Sequence, residues 1–205
     1  MPIFKRRGCM KIILASKSPR RREILENLGL KFDIIVADAD ESSDIRDPKM
    51  LVETLAARKG RAVLEKLGDI SEDTLIIACD TLVYADGEFL GKPRDRADAE
   101  RMIRKLSGNS HSVVSGIYLC LEGREVTAAA ETKVIFDPLT EGEIEAYLNT
   151  SEPYDKAGAY AIQGKAGVYI KGIEGDYFNV VGLPVNLLKN TLKEKFGIDL
   201  CELAK

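Results

Sequence analysis

Lys11-Ile-Ile-Leu-Ala-Ser-Lys-Ser-Pro-Arg-Arg-Arg-Glu23 sets a strand and a helix back to back. The apolar run from Lys11 to Ala15 reads as a buried strand, and Ser16-Lys-Ser-Pro19 breaks it. Ile24, Leu25 and Leu28 then mark one face of a helix. Ser18 is placed to cap that helix, Pro19 suits its first position, and Gly29 stops it. Reading outward, Phe32 to Val36 forms a second strand and Asp38 to Asp47 an acidic loop. Pro48 opens a helix with Val52, Leu55, Ala56, Ala62, Val63 and Leu67 on its core face, and Gly68 ends it. Thr74 to Cys79 is an apolar strand that Asp80-Thr81 breaks. It resumes through Leu82 to Tyr84 and turns at Asp86-Gly87 in a hairpin.

Asp95 caps a helix over Ala97 to Leu106, closed by Gly108. Val113 to Leu121 and Glu125 to Phe136 flank Gly123 as long antiparallel strands, and Thr140-Glu-Gly-Glu143 is a capping box for a helix ending near Leu148. A Gly-rich final third leads to a last helix from Val185 to Phe196. Strands and helices intermix without strict βαβ alternation, so the fold is a mixed α/β (α+β) one rather than a doubly wound parallel sheet. No repeat, low-complexity tract or linker interrupts it. One domain is expected over residues 10–205, with residues 1–9 a dispensable extension ahead of the first strand.

Composition narrows the function. With 45% hydrophobic and 31% charged residues in 205, the chain is neither disordered nor a membrane protein. No apolar run approaches the roughly 20 residues that cross a bilayer. Lys5, Arg6 and Arg7 precede an apolar stretch too short for a signal peptide. The four Cys form no CxxC and accompany a single His, so neither a structural zinc site nor a redox pair is signalled, and a reducing, cytoplasmic setting fits. A net charge of −3 is wrong for a general nucleic-acid binder, so any phosphate binding must be local. The phosphate loop GxxxxGKS/T, GxGxxG, HExxH and GxSxG are all absent.

Arg20, Arg21 and Arg22 sit at a helix start, where the macrodipole is already positive. That misplacement favours a bound anion over three solvated arginines, although Arg22 aligns with Glu26 as a surface pair. Lys59 projects from the apolar stripe of its helix: either its stem snorkels to the rim or its ammonium reaches an anion. Asp80 interrupts an apolar strand, so it must be ion-paired, metal-bound or catalytic. Asp38, Asp40 and Glu41 can supply a second carboxylate, and carboxylates beside clustered bases imply a divalent cation and a polyphosphate. His111, between two serines, is a hydrogen-bonded structural residue rather than a triad member.

These residues, in order, resemble the Maf family of nucleoside triphosphate pyrophosphatases from Met10 onward. The matching motifs are Ser16-Lys-Ser-Pro-Arg-Arg21, Asp40-Glu41, Lys59, Asp80-Thr81, Lys92-Pro93, Asp155 to Gly164, and Asn179 to Pro184. The resemblance implies two lobes on a bent mixed β-sheet around a central cleft, similar to inosine triphosphatase, often as a homodimer. It implies hydrolysis of a nucleoside triphosphate to the monophosphate and pyrophosphate, assisted by Mg²⁺ or Mn²⁺. Arg20, Thr81 and Gln163 are similar to those of the subgroup that prefers dTTP and UTP. Ser16, Arg20, Arg21, Lys59 and Lys92 would then neutralise the triphosphate, and Glu41 and Asp80 hold the cation. Asp80 would act as general base, with Thr81 and Gln163 facing the base of the nucleotide. Asp155 and Lys156 read equally as an ion pair or as metal or phosphate ligands. A rival reading is a non-catalytic, nucleotide-binding regulator of cell division or septum formation. A membrane or nucleic-acid partner is not expected.

Overall fold

The computed structural model describes residues 10–204, so the extension expected over 1–9 lies outside the described residues. In chain order the elements are β1 (Lys11–Leu14), α1 (Pro19–Asn27), β2 (Asp33–Ile34), α2 (Pro48–Leu67), β3 (Thr74–Ala85), β4 (Glu88–Leu90), α3 (Arg96–Leu106) and β5 (Ser110–Leu121). They continue with β6 (Arg124–Phe136), α4 (Glu141–Leu148), β7 (Ile170–Glu174), α5 (Tyr177–Val181) and α6 (Val185–Thr191), the last prolonged by a π-type turn over Leu192–Phe196. The sheet has seven strands in the order β2-β1-β3-β5-β6-β7, with β4 added to β3. β1 runs parallel to β2 and β3, whereas β3, β4, β5, β6 and β7 pair antiparallel, so the sheet is mixed.

β3 organises this architecture. Its one edge pairs with β5 without interruption from Ile76↔Cys120 to Tyr84↔Ser112. Its other edge pairs with β1 up to Leu14↔Ile77 and with β4 only from Val83↔Leu90 onward. The strand break expected at Asp80-Thr81 is therefore absent. What stops there is the pairing on one edge, and β5 keeps the backbone extended through the gap. The expected strand over Phe32 to Val36 is likewise shorter, because only Asp33 and Ile34 find a register on β1. In the Gly-rich last third, β7 and α5 were not foreseen; glycines and scattered apolar residues leave little periodicity to read there. The hairpin at Asp86-Gly87 is confirmed, both residues having positive φ, +48° and +80°. So is the Thr140–Glu143 capping box.

Side-chain alternation along β3 assigns the cores. Leu75, Ile77 and Cys79 join a cluster with α1 and α6 (Ile24, Leu25, Leu188), while Ile76 and Ala78 join one beneath α2 (Ala56, Val63). A third core lies around α3 and α4, beyond the gap, and includes Val83, Leu90, Ile103 and Leu148. α2 lies close against β5 because two glycines open the contact. A Cβ on Gly60 would fall 2.1 Å from the Tyr118 ring, and one on Gly116 would fall 2.4 Å from the Val52 backbone.

His111 is buried in the third core, its Nε2 2.7 Å from the Tyr160 hydroxyl, with the Phe136 ring beside both. It is structural, as its sequence context implied.

Two outcomes follow from this packing. Gly116→Ala must displace the α2 backbone and should cost about 3 kcal/mol, read as a lower midpoint in urea at unchanged slope. Burial lowers the His111 pKa from 6.5 to about 4. Between those values the unfolded chain binds a proton that the native chain refuses. Stability should therefore be complete above pH 6.5 and fall by roughly 3 kcal/mol on the way to pH 4 through this residue. His111→Phe should show a shallower acid slope than the parent in urea titrations over that range; parallel slopes would contradict the assignment.

Candidate active site

The gap in β3 opens onto a cleft of about 900 Å³ at the C-terminal end of the parallel β1–β3 pair. This is where open α/β sheets place ligands, and the volume suits a molecule of nucleotide size. Ser16, Arg20, Arg21, Glu41, Lys59, Asp80, Thr81, Lys92 and Gln163 all line it. Six basic and four acidic side chains face the cleft, in a chain whose overall charge is −3, so positive charge is concentrated here.

The alternation that sorts the core also sorts the site. Asp80 follows Ile76 and Ala78 onto the α2 face of β3; Thr81 follows Cys79 onto the α1 face. Lys59, between Leu55 and Val63 on the buried stripe of α2, lies 2.5 Å from Asp80 Oδ1 and 2.9 Å from Glu41 Oε1. Its ammonium thus reaches carboxylates in the cleft rather than snorkelling to solvent. Burial opposes the Lys59 charge, but Asp80 and Glu41 outweigh it and hold its pKa above the ordinary lysine value. Asp80 lines the cleft, and its hydrogen bond to Lys59 uses Oδ1, not Oδ2. Glu41 is carried by the acidic loop. Arg58 pins that loop through the carbonyls on either side of it, Asp40 O at 3.0 Å and Ser42 O at 2.6 Å.

On the other face, Arg21 is built into the floor. Its Nε donates to Gly182 O at 2.8 Å, Nη1 to Ser16 Oγ at 3.0 Å and Nη2 to Thr81 Oγ1 at 3.1 Å. Gly182 has φ +127°, which turns its carbonyl to take both Arg21 and the Thr81 hydroxyl at 3.2 Å. Arg22 pairs with Glu26 on the surface, as its spacing required.

Across the cleft stand Lys92, Gln163, Asp155 and Lys156. Lys156 is hydrogen-bonded to Asp155. That bond above all, and then Arg20 and Lys92, hold the Asp155 carboxyl below its usual range. Burial lowers the Arg20 pKa; Asp155 works the other way and Arg21 adds to the lowering. Gln163 sits in a turn closed by Gly164 N to Ala161 O at 3.0 Å and tied by the Glu152 carboxylate to Lys165 N and Ala166 N.

Asp80 and Glu41 are hard oxygen donors brought within reach of a single cation, the Lys59 ammonium. Such a pair fits an ion of the Mg²⁺ type, which keeps most of its ligands from water and phosphate. Among the described residues no group of three or more His, Cys, Asp or Glu is gathered to hold a metal.

Three residues of this network escaped the sequence reading: Ser115, Arg58 and Glu152. Ser115 carried a usable signal. It is a buried hydroxyl inside an apolar strand, the same anomaly that singles out Asp80, and it stands opposite Thr81 in the register.

Comparison with known proteins agrees with this geometry. Residues 11–195 match the family model described as Maf-like protein. The chain belongs to the Maf family. A dTTP/UTP pyrophosphatase of Caldanaerobacter subterraneus subsp. tengcongensis is 48% identical over 193 residues, covering 93% of this chain and 92% of that one. The proteins of the same name in Thermosipho africanus and Bacillus anthracis are 44% and 43% identical, covering 93% of this chain and 96% and 97% of theirs. In fold, this Maf chain is similar to the Staphylococcus aureus Ham1 protein, with a TM-score of 0.52 at 16% identity over 89% of this chain and 98% of that one. Among the described residues of this Maf protein no helix is long and apolar enough to cross a membrane.

Proposed function

We propose that this chain is a nucleoside triphosphate pyrophosphatase that hydrolyses dTTP and UTP to the monophosphate and pyrophosphate, with Asp80 as general base. The observation that carries the reading is the Asp80 carboxylate in the gap of β3, lining a cleft that otherwise concentrates cations. A protein that only bound a triphosphate would gain little from a carboxylate beside anionic phosphates unless a metal intervened. The names of its relatives support the substrate class.

In this reading Ser16, Arg20, Arg21, Lys59 and Lys92 bind and neutralise the triphosphate, and Gln163 faces the nucleotide base, where an amide both donates and accepts. Asp80 takes a proton from the attacking water. The water oxygen bonds to the α phosphorus as the bond from that phosphorus to the α,β-bridging oxygen breaks. The surrounding lysines and arginines stabilise charge on the departing pyrophosphate. Asp80 and Glu41 would hold a divalent cation, Mg²⁺ or Mn²⁺, which when bound supplies further positive charge to the phosphates. A homodimer is proposed on the family resemblance, one domain over residues 10–205 on the position of the first strand and the lack of a linker, and a cytoplasmic location on the cysteine usage.

Asp80→Asn should keep the fold and lower turnover by roughly 10²-fold or more, and wild-type turnover in the folded variant would refute the role. In a panel of triphosphates with Mg²⁺, dTTP and UTP should be cleaved ahead of ATP and GTP, releasing pyrophosphate rather than orthophosphate. A purine preference or orthophosphate release would reject the substrate assignment.

A further inference from the structure

We propose that Glu152 is a positioning residue for Gln163: its carboxylate fixes the turn that carries that amide, and so sets the preference for a pyrimidine base without meeting the nucleotide. The inference rests on Gln163 facing the base in a triphosphate site, and names what holds it there.

Gln163 has little of its own to hold it. The chain is anchored on either side, Ile162 against the core of α1 and α6, and Ala166 fully buried in the core around α3 and α4. Gln163 and Gly164 between them are exposed. Lys165–Tyr169 then coils into a short 3-10 turn, whose first N–H groups find no partner within it. Gly164, just before that turn, has no side chain with which to cap them.

Glu152 caps them from 13 residues upstream of Lys165. Its Oε2 accepts from Lys165 N at 2.6 Å and its Oε1 from Ala166 N at 3.1 Å, while the buried Tyr147 hydroxyl lies 3.0 Å from Oε1. Two adjacent amides on the two oxygens of one carboxylate make a forked clamp, and hydrogen bonds to a charged acceptor are about twice as strong as neutral ones. The clamp presses directly on the residue after Gln163: a Cβ on Gly164 would fall 2.2 Å from Glu152 Oε2. Ala161, Ile162 and Gln163 line the cleft, whereas Glu152 does not, so it acts there only through the turn.

The turn also has hydrogen bonds of its own, from Gly164 N to Ala161 O at 3.0 Å and from Gly167 N to Gly164 O at 3.1 Å. Neither involves Glu152. Loss of the carboxylate therefore leaves the turn formed but unclamped, and the Gln163 amide loses its fixed direction. Ser16, Arg20, Arg21 and Lys59, on other segments, keep their hold on the triphosphate tail.

The test uses the purified chain with Glu152→Gln, Gln163→Ala and the two combined. Glutamine keeps the shape of glutamate but offers one acceptor oxygen and turns an NH2 donor toward the second amide. KM and kcat are measured for dTTP, UTP and ATP, together with the inhibition constant of inorganic tripolyphosphate, a probe with no base. Glu152→Gln should raise KM for dTTP and UTP roughly tenfold, leave their kcat, the KM for ATP and the tripolyphosphate constant unchanged, and so lower the dTTP-to-ATP ratio of kcat/KM by the same factor. Gln163→Ala should lower that ratio too, and adding Glu152→Gln to it should lower it no further, because the one residue acts through the other. A fall in kcat for all three nucleotides at an unchanged ratio would overturn the proposal, as would a raised tripolyphosphate constant or additive effects in the double variant. Should Glu152→Gln not fold, Glu152→Asp, charged but one methylene short of reaching both amides, decides by the same readouts. An unchanged ratio in Gln163→Ala would instead refute the reading of Gln163 as the contact to the base, and the proposal with it.

Discussion

The pairing of Asp80 with Lys59 is the constraint around which this molecule is arranged. A carboxylate in the middle of a strand that is apolar on both sides has to be compensated, and its partner comes from the buried stripe of a helix that would otherwise carry only aliphatic groups. Neither charge is tolerable without the other at that depth. The pair therefore specifies how α2 lies across the sheet, and Gly60 and Gly116 supply the close approach that the contact needs. Glu41 completes the arrangement from the loop that α2 itself pins through Arg58.

β3 makes such a site possible because it pairs with two strands in turn on one edge and with a single strand on the other. β5 satisfies its backbone along nearly its whole length, so the strand stays extended where β1 has ended and β4 has not begun. Those few residues are held in place by one neighbour and left open to a ligand by the lack of the other. Successive side chains alternate across the sheet, so Asp80 and Thr81 turn to opposite faces. One meets a lysine on α2, the other an arginine on α1. Acid chemistry and anion binding are thereby set side by side without the two networks sharing an atom.

The arginine network has a second consequence. It ties the first strand-to-helix turn, β3, β5 and the turn before α6 through hydrogen bonds from Arg21, Thr81 and Ser115. Segments far apart in the chain meet in one rigid floor. Of the facing wall, Lys92, Asp155 and Lys156 lie on segments whose apolar neighbours, Leu90, Tyr154 and Ala157, belong to a different hydrophobic core. The cleft lies between the two.

Much of this was legible before any coordinates. Periodicity, caps and breakers located α1, α2, α3, α4 and the hairpin, because those signals are local to the residues that form them. Asp80 and Lys59 announced themselves as polar groups on apolar faces, and the run of arginines as charge on the wrong end of a helix. Each nevertheless left two readings open, since a residue's type shows that it needs a partner and not which partner it finds. Tertiary structure made the choice. It kept β3 unbroken because β5 supplies pairing from more than thirty residues away, and it joined Lys59 to Asp80 and Glu41. It brought the Thr81 hydroxyl to partners 60, 34 and 101 positions distant. Local propensity is written into neighbouring residues, whereas hydrogen-bond saturation is a property of atoms that only folding brings together.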